Sequence, residues 1–96
     1  MTSHSSAAVS FAGKMHPKDV GYALAHRLGI YERGVRHRDR EFICVAVDLD
    51  STGLRIEVLK SKGLFISDAR DRVSSALKEI ESGWRVSSLD VFTDRL

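Results

Sequence analysis

Disulfides, long apolar runs and proline are almost or entirely missing from this chain of 96 residues, and each shortage excludes a class of protein. Cys44 is its one cysteine, so no bridge closes within the chain and the fold must rest on core packing. That suits a reducing compartment, and a cytoplasmic location is the expectation. The longest unbroken apolar run is Phe42 to Val47, far short of the roughly 20 residues a membrane span needs. Pro17 is the single proline, and no proline-rich or glycine-rich linker divides the sequence. Residues 1–13 lack the charged-then-apolar pattern of a secretory signal and read as a loose tail carrying at most a short strand.

What is present is globular. Apolar residues make up 43% and charged residues 29%, too apolar for a disordered chain. The length fits one domain over residues 14–96, small enough that its stability is modest. Net charge is only +2, but it is unevenly spread. Residues 1–40 hold seven Lys/Arg against three Asp/Glu, and residues 41–96 hold eight against ten. The basic excess peaks at Arg33, Arg36, Arg38 and Arg40, with His37 among them. Such polarity steers anionic partners or helps two copies meet head to tail.

Periodicity supplies the elements. Val9 and Phe11 alternate within 7–12, as in a short strand. Pro17 fits the first turn of a helix, with His16 as cap and Asp19 near its positive end. Val20, Leu24, Leu28 and Tyr31 then form one apolar stripe, ended by Gly29 or Gly34. From Glu41 to Leu49, strict alternation puts Ile43, Val45, Val47 and Leu49 on one side of a strand and Phe42, Cys44, Ala46 and Asp48 on the other. Asp50 to Gly53 is turn chemistry, and Leu54, Ile56 and Val58 alternate again, which predicts an antiparallel hairpin. Residues 60–63 read as a loop, with Leu64, Phe65 and Ile66 packed beneath a helix capped by Ser67 or Asp68. Val73, Ala76, Leu77, Ile80 and Trp84 give that helix its stripe, and Gly83 ends it. Residues 86–92 predict a last strand, with Leu89 and Val91 inward.

The order predicts a two-layer α+β sandwich of ferredoxin-like βαββαβ type, or αββαβ without the first strand. Both helices then lie on one face of a mostly antiparallel sheet. The other face would carry Phe42, Cys44, Leu59 and Phe92, with Ala46, Arg55 and Glu57. That is too apolar for a simply solvated face, and its first hairpin strand lies at a sheet edge.

Residues 42–53, an apolar strand running into Asp48-Leu-Asp50-Ser-Thr52-Gly53, resemble the first motif of haloacid dehalogenase-type phosphotransferases. The resemblance implies Asp48 as nucleophile and Asp50 as general acid/base, beside Mg²⁺. The rest of such a site does not fit. Ser67, Lys78 and Asp90 follow in the right order but too closely for the intervening parallel strands, and the residues after Gly53 read as a returning strand. The same residues match a calcium loop only in part, because Leu59 stands where a bidentate glutamate is required. His4, His16, His26 and His37 are scattered, so no zinc site and no cofactor is expected.

The expected function is a small non-enzymatic interaction module that self-associates or binds a protein partner through the open sheet face and the arginine-rich loop. Its partner-binding residues would be Phe42, Cys44, Leu59 and Phe92. The alternative is a small nucleic-acid-binding protein that places Arg33, Arg36, His37, Arg38 and Arg40 on phosphates. Third is a small enzyme with a site at a subunit interface. No membrane partner is expected.

Overall fold

The computed structural model describes residues 13–30 and 40–95. The strand expected over 7–12 and most of the arginine segment lie outside the described residues. Among them the order is α1 (Pro17–Leu28), β1 (Phe42–Asp50), β2 (Gly53–Lys60), α2 (Ile66–Glu79) and β3 (Val86–Thr93).

Helix α1 starts and stops where its sequence dictates. The His16 ring nitrogen accepts from the Lys18 amide at 3.1 Å, and Pro17 occupies the first turn, where no amide is needed. Gly29 turns left-handed at φ 74°. Its amide reaches the His26 carbonyl, and the Ile30 amide reaches that of Ala25 at 2.8 Å. This is a Schellman ending, with glycine where a side chain would be strained. Helix α2 departs from expectation at both ends. It begins at Ile66 without a side-chain cap, placing Ser67 and Asp68 inside its first turn, and it stops at Glu79. Ile80 is already extended, so Trp84 belongs to the following loop. There the indole N–H donates to the Met15 carbonyl, and Lys14 stands over the ring at 4.4 Å.

The sheet runs β1-β2-β3, with β1 antiparallel to β2 and β2 parallel to β3. The α+β class and the αββαβ element order therefore hold, and the sheet is mixed, not mostly antiparallel. The ferredoxin-like unit is a split one, with another strand between the two parallel ones. Here β2 and β3 hydrogen-bond directly, so β2-α2-β3 is an unsplit crossover. The N–H of Leu54 donates to the Arg85 carbonyl at 2.8 Å and seats the start of β3 against β2. A Cβ on Gly53, at φ 142°, would lie 2.2 Å from that carbonyl oxygen, so only glycine allows the approach.

Both helices cover the same face. Val20, Leu24 and Leu28 from α1 and Ala69, Val73 and Ala76 from α2 enclose Leu54, Ile56 and Val58 of the central strand. Fully burying each large aliphatic side chain contributes about 1.5–3 kcal/mol. Leu64 and Ile80 complete the core. Phe65 and Ile66 do not join it: they are 76% and 50% exposed. Lys60, the last residue of β2, is buried, and its Nζ donates to the Ser61 carbonyl at 3.1 Å.

Candidate functional site

The face of the sheet opposite α1 and α2 is a grid of three by three described residues. Registers across the strands set Cys44 beside Leu59 and Leu59 beside Phe92. The next row is Ala46, Glu57 and Asp90, and the third is Asp48, Arg55 and Ser88. One end of the face is thus apolar, and the remainder holds three carboxylates and one guanidinium. Phe92 is 51% exposed, Cys44 is an exposed free thiol, and Leu59 is half-buried between them.

Phe42 is not part of this face, contrary to the sequence expectation. It is 1% exposed and belongs to the core. The cause is a bulge between Phe42 and Cys44 in the pairing with β2. One extra residue reverses the alternation, so Phe42 turns to the same side as Val45 and Val47, and Ile43 is left partly exposed at the edge. A cation then closes over the ring. The Arg72 guanidinium lies 4.8 Å from the Phe42 centroid and donates to the Glu41 carboxylate at 2.7 Å.

The two aspartates of the hairpin have separate fates. Asp50 is a turn residue. One carboxylate oxygen accepts from the Thr52 amide at 2.7 Å, the Thr52 hydroxyl at 2.7 Å and the Gly53 amide at 3.0 Å. The Ser87 hydroxyl donates to the other oxygen at 3.4 Å. These donors, chiefly Thr52, hold its carboxyl below the ordinary carboxylate range. Asp48 lies two residues away on the open face beside Arg55. A carboxylate saturated by turn donors is a poor proton carrier, and among the described residues no three metal-ligating side chains stand together.

An open groove of 330 Å³ lies between the helices, lined in part by Arg27, Leu28, Arg72 and Glu79. Arg27 is held by Glu79 at 3.3 Å and Arg72 by Glu41, so both cations are already paired. Of the arginine segment, only Arg40 is among the described residues. It is half-buried, with its guanidinium near Gly29 at the end of α1.

The sequence pattern places Cys44, Leu59 and Phe92 on the open face, where the structure also has them, and it does not place Asp90 and Ser88 there, because only the parallel pairing of β2 with β3 brings them beside Glu57 and Arg55. No protein-family model, no curated protein and no solved structure matches this chain.

Proposed function

We propose that this chain is a non-enzymatic protein-interaction module that receives its partner on the helix-free face of the sheet. The observation that carries the reading is the Cys44–Leu59–Phe92 row. It crosses β1, β2 and β3 with no helix above it among the described residues, and its aromatic member is half exposed. An apolar row rimmed by charged side chains is how a contact patch is built. A reducing, cytoplasmic setting goes with this reading, since the free thiol of Cys44 stands on the contact face.

Two features favour this over the other classes. Asp90 and Glu57 stand in the row next to the aromatic ring, and carboxylates beside a stacking platform repel a phosphate backbone. Asp50, the acid/base candidate of the Asp-x-Asp segment, is committed to its turn.

The test is Phe92→Asp, with size followed by light scattering coupled to gel filtration across a concentration series. Assembly is lost and the thermal melt is kept, because an exposed side chain contributes little to folding. Wild-type assembly in the variant overturns the reading.

A further inference from the structure

We infer that the partner seated on this face is a second copy of the chain, and that its arginine-rich segment, centred on Arg33, Arg36 and Arg38, docks against Asp48, Glu57 and Asp90. The inference rests on the proposed interaction face and adds the identity of its occupant.

Charge complementarity carries it. Glu57 and Asp90 are direct cross-strand neighbours, an arrangement of like charges that is unfavourable in an isolated sheet. Among the described residues neither they nor Asp48 take part in an ion pair, while the ion pairs found lie on the helices and at Glu41. The face thus presents three carboxylates against one guanidinium, Arg55, beside an apolar row. Its opposite is written in the same chain. Arg33-Gly-Val35-Arg36-His-Arg38 sets three guanidiniums around one valine. Guanidiniums pair with carboxylates and stack on an aromatic ring such as Phe92, and Val35 supplies an apolar side chain for Leu59 and Cys44. Arg40 is left out because it is half-buried at the end of α1.

The same charges decide the symmetry. Two copies joined face to face would oppose three carboxylates and one guanidinium to an identical set, which is repulsive. A head-to-tail contact sets the acidic face of one copy against the basic segment of the next. Such a contact is heterologous, so each added copy leaves one face and one segment free until a ring closes.

That property supplies the test. Full-length wild type, the Phe92→Asp variant and a triple Arg33→Ala, Arg36→Ala, Arg38→Ala variant are compared by light scattering coupled to gel filtration, alone and mixed. Wild type assembles in about 0.1 M salt. The association weakens roughly tenfold or more in about 1 M salt, as the screening length falls from about 10 Å to about 3 Å. Each variant alone is monomeric. Mixed, they form a one-to-one dimer and nothing larger, because one copy retains a segment and the other a face. Alkylation of Cys44 slows in the triple variant when Phe92→Asp protein is added. Wild-type assembly by the triple variant overturns the head-to-tail inference and leaves the interaction face standing. A wild type that stays monomeric at every concentration overturns the inference too, leaving the face to a foreign partner. Wild-type assembly by Phe92→Asp overturns both.

Discussion

The two faces of this sheet come from the same three strands, yet they are held to different rules. On the covered face, Leu54, Ile56, Val58 and Phe42 are each about 1% exposed or less, and every one is fixed by neighbours from both helices or strands. On the open face, Phe92 is half exposed and Glu57 sits beside Asp90. A core position is selected for volume and packing, and a free face tolerates local disadvantage where another molecule is to be met. The edges differ as well. Arg70 reaches from α2 to the Leu89 carbonyl of β3 at 3.0 Å and guards that side, as charged side chains commonly do.

The sharpest way to break the comparison is at Phe42. Phe42→Ala removes a fully buried ring and should cost about 3–5 kcal/mol, a large part of the roughly 5–15 kcal/mol that holds a domain together. Urea unfolding followed by the fluorescence of Trp84, the one tryptophan, measures it. Phe42→Asp should not fold, since it buries a carboxylate in the core and the guanidinium over that position, Arg72, is already engaged by Glu41. A variant that melts like wild type would return Phe42 to the open face. Gly53→Ala comes next. Its Cβ would overlap the Arg85 carbonyl at a backbone angle that side chains avoid, so a loss of at least about 2 kcal/mol is expected. The same unfolding assay would refute this if the loss stayed under about 0.5 kcal/mol, the usual range for surface changes.

These two positions also show what a sequence can and cannot reveal. Leu54, Ile56 and Val58 were legible because alternation and burial agree along a central strand. So was the end of α1, where Gly29 follows the last apolar residue of the stripe. Phe42 was not legible. Phe42-Ile43-Cys44 is apolar throughout, so a one-residue bulge leaves no trace in the pattern while reversing which side chain is buried. The strand order was hidden for a related reason. Whether β3 joins β2 directly or across an intervening strand depends on contacts far apart in sequence, such as the Leu54 amide on the Arg85 carbonyl. The open face was half visible: its members on β1 and β2 follow from the hairpin, but Asp90 and Ser88 required the parallel register.

Asp50 tests the turn that sets the antiparallel register of β1 and β2. Its carboxyl sits below the ordinary range because Thr52, Gly53 and Ser87 donate to the ionised form. A depressed folded pKa means that the stabilisation is complete above the unfolded pKa and lost as pH falls through the folded one. Asp50→Ala should therefore melt below wild type at neutral pH by a small margin, and the gap should close in acid. Thermal melts from pH 7 down to about pH 2, below the ordinary carboxylate values, decide it. A gap that stays constant would assign the effect to packing and not to the ionised carboxyl.

The smallest expected effect has the opposite sign, and it separates the faces most cleanly. Glu57→Thr removes one of two like charges that face each other across β2 and β3, and replaces a residue poorly suited to strands with one well suited to them. The monomer should gain a few tenths of a kcal/mol, up to about 1 kcal/mol. The part due to repulsion should fade in about 1 M salt, where the screening length is about 3 Å, and the part due to strand preference should remain. No substitution on the covered face is expected to gain in this way, since each side chain there is already matched to its cavity. If Glu57→Thr is measurably destabilising instead, Glu57 contributes to the fold itself, and the open face loses its claim to be free of structural duty.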